Sequence, residues 1–307
     1  MDATNAAPQI QVLTYEIATV VPYINWIYFF NAWGFAPRYA TAAHIHDCPS
    51  CQIQWLTSFP DKEKEKAAEA LQLFNDAQQI IHSLTGKHRT QAIVGLFPAH
   101  ADGDDILIYG TSRYPTRLPM LRQQQGTACT CWSDFVRPVC SEKKDTVGLF
   151  ATSVDATMEQ SFPNDEYRHL LCQTLADRLA EATAERMHEE VRKSLWGYAS
   201  DEQLTIQELL QEKYTGRRPA IGYPSLPDQS LNFLIDECLN LSRIGIRLTE
   251  NGAMRPHAST SGLLFAHPQA THFAIGHIGE DQIHDYARRR GLPLETIRKF
   301  LAANLPS

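Results

Sequence analysis

The run Lys213-Tyr-Thr-Gly-Arg-Arg-Pro-Ala-Ile-Gly-Tyr-Pro-Ser-Leu-Pro-Asp228 sets a guanidinium beside a main chain shaped by glycine and proline, and it reads as a binding loop. Arg218 offers a planar fork of donors suited to a carboxylate, and Gly222 lets a ligand approach the backbone where a side chain would intrude. Pro219, Pro224 and Pro227 remove backbone donors and stiffen the path, so the loop enters binding already shaped and loses less entropy. Composition alone is equally compatible with a surface loop between two helices.

Working outward, Thr205 with Glu208 makes a capping-box start for a short helix ending near Tyr214, and Gly216 then releases the chain into the loop. Upstream, Leu171, Leu175, Leu179, Met187, Val191 and Leu195 recur at intervals of four or eight, which predicts a long helix from about Asn164 to Leu195 with Pro163 just before it. The Lys-, Glu- and Ala-rich segment from Asp61 to Leu84, stopped by Gly86, predicts a solvent-facing helix. Ala92 to Phe97 and Asp105 to Tyr109 flank a Gly-Asp turn as a hairpin would, and Thr146 to Val154 reads as a third strand. Downstream come a helix around Leu231 to Leu241 and three strand-like runs, Ile246 to Thr249, Gly262 to Ala266 and His272 to Ile278. Two closing helices follow, split by Gly291 and Pro293. Grouped strands interleaved with long helices, without regular βαβ alternation, predict an α+β fold with a largely antiparallel sheet.

With 307 residues, 43% of them hydrophobic, the chain has ample length for a core. Its 28 basic against 35 acidic residues argue against wrapping nucleic acid or lying on an anionic membrane. No stretch approaches ~18 uninterrupted apolar residues, and Met1 to Pro8 lacks the basic-then-apolar order of a signal peptide, so a cytoplasmic location is expected. Seven cysteines, an odd number, favour reduced thiols over a disulfide scaffold. No linker, low-complexity tract or repeat divides the chain, which reads as one domain.

Arg218-Pro-Ala-Ile-Gly-Tyr-Pro224, Trp196-Gly-Tyr-Ala199, Leu248-Thr-Glu-Asn-Gly-Ala-Met254, Ala258-Ser-Thr-Ser-Gly262 and Asp285-Tyr-Ala-Arg-Arg-Arg-Gly291 stand in one order along the chain. So do Val94-Gly-Leu-Phe-Pro-Ala99, Gly103-Asp-Asp-Ile-Leu-Ile-Tyr109, Leu121-Arg-Gln-Gln124, Asp134-Phe-Val136 and Ala176-Asp-Arg-Leu-Ala-Glu-Ala182. Together they resemble the activation domain of cobalamin-dependent methionine synthase, from about Pro22 to the C-terminus. The division implied is an N-terminal extension over residues 1–21 and an activation-like domain over 22–307. The fold implied is C-shaped, around a twisted antiparallel sheet with flanking helices.

The resemblance implies a site for S-adenosylmethionine. Arg218 matches the family's motif arginine and is the partner expected for the methionyl carboxylate. Ala220, Gly222 and Tyr223 match the rest of the motif and imply main-chain contacts. Glu181 and Glu212 match positions near the ligand, where carboxylates could offset its cationic sulfonium and ammonium or bond the ribose. Asn25 stands where the family usually has an aspartate facing the ligand's amino group, and His272-Phe273 where a tyrosine pair is usual.

The reaction implied is reductive remethylation of cobalamin carried by the partner, with an electron from a flavodoxin-like reductant and no side-chain nucleophile. The cobalamin-binding Asp-x-His-x-x-Gly pattern and the Cys-rich zinc motifs of the homocysteine half are absent from the sequence. The chain is therefore expected to act in trans, as a stand-alone reactivation component of methionine synthase (a methyltransferase) and not as the complete enzyme. The alternative is a module that binds S-adenosylmethionine, or docks on another corrinoid protein, without methyl transfer.

His44-Ile-His-Asp-Cys-Pro-Ser-Cys51 is an insertion relative to that family's pattern. His44, His46, Cys48 and Cys51 have a spacing that could serve zinc or redox chemistry, but a plain loop is the favoured reading and no metal is assigned. Arg288-Arg-Arg290 reads as a solvated helix end complementing the helix dipole.

Overall fold

The computed structural model describes residues 8–46 and 48–305. Strand β1 (Gln9–Glu16) leads into helices α1 (Ile17–Val20), α2 (Trp26–Ala32), α3 (Pro49–Thr57) and α4 (Asp61–Leu84). Strands β2 (Arg89–Asp102), β3 (Asp105–Ile108), β4 (Thr116–Pro119) and β5 (Asp145–Val154) follow. Helix α5 (Glu166–Glu190) continues through a π turn at Val191–Leu195, and α6 (Ile206–Leu210) and α7 (Leu231–Leu239) come next. Strands β6 (Arg247–Leu248), β7 (Met254–Arg255) and β8 (Ser259–Leu264) precede the closing helices α8 (Glu280–Arg290) and α9 (Leu294–Phe300).

The fold is α+β, with a curled antiparallel sheet in the order β4-β3-β2-β5-β8. At its centre, β2 has β5 along one edge, from Thr90↔Val154 to Ala99↔Asp145. Its other edge takes β1 first (Gln9↔Leu96 to Glu16↔Arg89) and then β3 (Ala99↔Ile108 to Asp102↔Asp105). Gly103, at φ +60°, makes the tight β2–β3 turn. Alternate residues divide between two cores. Ala92, Val94 and Phe150 join the cluster under α4 and α5, while Ile93, Phe97, Leu149 and Ala151 join the one under α7. With both faces buried, these strands read as continuous apolar runs.

The long helices fall where periodicity predicts α5 and composition predicts α4, though α4, expected to face solvent, also buries one side. Ala67, Ala70, Leu71, Ala77, Ile80, Ile81 and Leu84 form the buried stripe of α4, with Asp61 and Glu63 in its first turn. Helix α6 has the capping box, Thr205 Oγ1 accepting the Glu208 N–H at 3.3 Å, but it ends at Leu210.

Three expectations change. The predicted strand over 272–278 is irregular backbone: its bonds go to Pro224 and Asn304, the Ile275 N–H to one carbonyl and the Ile278 N–H to the other, both at 2.9 Å. Its apolar residues, including buried Ile275 and Ile278, reflect packing against α8 and α9. Within the proposed 1–21 extension, residues 1–7 lie outside the described residues, but β1 is paired along its whole length with β2 and belongs to the sheet. Finally, Arg289 and Arg290 are not solvated. Arg289 pairs with Asp105 and Asp285, and Arg290 bonds Ser230 Oγ at 2.8 Å beside buried Asp228. Among the described residues, no helix is long and apolar enough to cross a membrane.

Candidate functional site

The Arg218 loop is held on the free edge of β8. Bridges Arg217↔Phe265 and Ala220↔Gly262 extend the sheet, with the Ile221 N–H bonding Ser261 O at 2.9 Å and the Leu263 N–H bonding Pro219 O at 3.0 Å. This contact requires Gly262, because a Cβ there would lie 2.1 Å from Pro219 O and 2.9 Å from Ala220 Cα. Backbone cannot swing aside as a side chain can. Gly262→Ala is therefore expected to cost about 2–3 kcal/mol by overpacking and to lift the loop from the sheet, readable as a lower denaturation midpoint. Gly222 is needed for conformation, at φ +89°, and no atom lies within 4 Å of where its Cβ would stand.

Facing the loop, α5 presents Arg178, Glu181 and Glu185 at i, i+3 and i+7, one face of the helix, while Leu171, Leu175, Leu179 and Met187 are buried. Between loop and helix lies a cleft of about 760 Å³, within the roughly 300–1,000 Å³ of small-molecule sites. Seven of the predicted residues line it: Arg218, Ala220, Tyr223, Glu181, Glu212, His272 and Phe273.

Arg218 is the deepest cation, its side chain 13% exposed, paired with Glu185 and 5.5 Å over the Phe150 ring. Burial opposes its charge, but the carboxylates around it, Glu185 foremost, outweigh that and raise its pKa above the ordinary value. Its Nε is buried without a hydrogen-bond partner among the described residues. Glu181 accepts from Arg178 Nη1 at 2.7 Å and Tyr223 Oη at 3.0 Å. Glu212, at φ +54°, faces His272 Nε2 at 3.5 Å, and the bond from His272 holds its carboxyl below the usual range despite burial. Trp132 braces the opposite wall, with its ring 5.0 Å from Phe273, 6.0 Å from His272 and stacked 4.9 Å from Phe265. Three carboxylates thus face two guanidiniums beside an aromatic wall, a setting suited to a zwitterion that carries an extra positive charge.

The family described as vitamin B12 dependent methionine synthase, activation domain, matches residues 16–291. The chain belongs to this family. A solved structure, the MetH reactivation domain bound to AdoHcy, is 35% identical over 100% of this chain and 93% of its own, with a TM-score of 0.83.

Two predicted positions of this activation domain stand apart from the cleft lining. Gly222 shapes the loop without lining the cleft. Asn25 lies on a separate cleft of about 280 Å³, where its amide oxygen caps α2 by accepting the Ile27 N–H at 3.1 Å. From α2 it is Tyr28, 55% exposed, that reaches the main cleft. Arg178, Glu185 and Tyr28 were not picked out in the sequence. The two α5 residues were findable there, since they share a helical face with Glu181.

Next along that face, His188 is fully buried, both ring nitrogens lacking partners among the described residues, its ring 4.9 Å from Tyr214. Burial, reinforced by Arg192, Arg218, Arg217 and His272, holds it well below the usual histidine range, and it is neutral. The unfolded chain takes up a proton on this imidazole near pH 6.5 while the folded chain does not. The unfolded state then binds more protons, and stability falls as pH drops below about 6.5. Between pH 7.5 and 5.5 the protein should lose about 1 kcal/mol more stability than His188→Phe, measured by urea denaturation.

The Cys-x-x-Cys motif opens α3. Cys48 is the N-cap, its Sγ 3.4 Å from the Cys51 N–H and 3.3 Å from Ser50 Oγ, and bonding from the Cys51 thiol, helped by Ser50 and that N–H, lowers its pKa to about 6. His44 lies elsewhere, lining the Asn25 cleft.

Proposed function

We propose that this activation domain binds S-adenosylmethionine in the Arg218 cleft and supports reductive remethylation of the cobalamin carried by a separate methionine synthase. The observation that carries the reading is the convergence of Arg218, Glu181, Glu185 and Glu212 on one cleft of a fold whose solved relative is bound to AdoHcy. Arg218, its Nε without a partner among the described residues, takes the ligand carboxylate. Glu185 and Glu181 then face its ammonium and sulfonium, and Phe273 with Tyr223 offers surface to the adenine. S-adenosylmethionine supplies a methyl on a sulfonium leaving group, and cobalamin, after one electron from a flavodoxin-like reductant, supplies the nucleophile. The chain's own task is to hold the methyl in line, so it needs no general base.

Calorimetric titration with S-adenosylmethionine tests the reading. Saturable binding of one equivalent is expected; no heat at millimolar ligand would overturn it. A reactivation assay with a methionine synthase lacking this domain then separates methyl transfer from binding alone.

A further inference from the structure

The His-x-Cys-x-x-Cys run takes no part in the cleft above, yet the fold gathers it. Pro49 starts α3, and the first helical turn folds Cys51 back over Cys48. Thiol chemistry at a helix start would need these two residues only. His46, in the segment before the helix, approaches the same point, and the ligand atoms of His46, Cys48 and Cys51 all lie within 4.8 Å of one another. Zn–S bonds of about 2.3 Å and Zn–N bonds of about 2.0 Å in a tetrahedron put ligand atoms roughly 3.5–4 Å apart, close to the spread these atoms already have. Both cysteines are free and partly exposed, and His46 is exposed, so an ion can enter without unfolding the chain.

We propose that His46, Cys48 and Cys51 form a site for a thiophilic divalent ion of the zinc class, with its fourth position left to water or an external donor. Two thiolates and an imidazole select zinc over magnesium or calcium, which prefer oxygen. The ion would tie the segment before α3 to the first turn of the helix. The far end of α3 is already fixed: Trp55 Nε1 donates to Thr41 Oγ1 at 2.9 Å, and its ring meets Phe59 at 4.8 Å. Metal would thus clamp the opposite end of the helix, independently of any ligand in the Arg218 cleft.

The test uses the whole chain, reduced and stripped with a chelator, then titrated with Co²⁺ as a spectroscopic probe and with Zn²⁺ against a chromophoric competitor. One equivalent of Co²⁺ showing thiolate charge-transfer absorption, displaced by Zn²⁺, is expected. Cys48→Ser, Cys51→Ser and His46→Ala should each weaken binding on the order of 100-fold, while His44→Ala and Cys140→Ser leave it unchanged. Protection of Cys48 and Cys51 in the unmodified chain from maleimide by Zn²⁺, mapped by mass spectrometry, gives the same answer without a variant. Absence of thiolate absorption, binding insensitive to the cysteine changes, or a protein that takes up no metal when reduced and forms a reversible Cys48–Cys51 disulfide only when an oxidant is added would each overturn the site.

Discussion

Arg218→Ala is expected to weaken binding of S-adenosylmethionine by about two orders of magnitude. Loss of a charge-assisted bond to the ligand carboxylate costs about 2–3 kcal/mol, roughly a 30- to 150-fold weaker dissociation constant. The cost should sit at the upper end because the guanidinium is only 13% exposed and water cannot replace it well. Removing it also leaves Glu185 without its partner, adding a carboxylate to a cleft that must accept one. Arg218→Lys keeps the charge without the planar fork and should fall between wild type and alanine. Calorimetry on all three, with a melting curve for each, decides the matter. An alanine variant that melts normally and binds as tightly as wild type would place the ligand elsewhere.

Glu202→Ala should produce the largest loss of stability, about 3–5 kcal/mol and on the order of 10 °C in melting temperature. Arg192 has no exposed side-chain surface and makes two bonds to Glu202, Nε to Oε2 at 2.8 Å and Nη2 to Oε1 at 2.6 Å. Its third nitrogen, Nη1, is already buried without a partner among the described residues, so nothing nearby can take over the charge. The pair joins the π turn at the end of α5 to the chain beyond Trp196, where the Ala199 N–H bonds Arg192 O at 2.9 Å. The Arg192 guanidinium also covers the Tyr214 ring at 4.1 Å, just ahead of the Arg218 loop. Removing both charges, as Arg192→Met with Glu202→Leu, should recover most of the loss, because a buried pair replaced by packed apolar groups is often neutral. If the single variant denatures with the wild type, the pair is not what holds this junction.

Much of the fold was legible because local signals coincided with it. The extent of α4 and its stop at Gly86, the Gly-Asp turn between β2 and β3, and the capping box of α6 are each written in a few neighbouring residues. The run 272–278 was misleading because apolar residues such as Ile275 and Ile278 can be buried by packing against helices as well as in a sheet. Arg289 and Arg290 were misleading because a charge run carries no information about the carboxylates, Asp105 and Asp228, that wait for it far along the chain.

The sequence by itself determined the family, through short motifs set in order, and it singled out Arg218, Glu181, Glu212 and His272, which the structure brings to one cleft. Only the tertiary structure decided their company. Glu185 meets Arg218 because α5 packs across the loop, and the loop lies there because Gly262 lets backbone touch backbone. Asn25 went to a helix cap while Tyr28 took its place at the cleft, since one turn of α2 separates the two. Spacing along a chain fixes which residues share a helical face. What each face meets depends on contacts between residues distant in sequence, which only folding brings together.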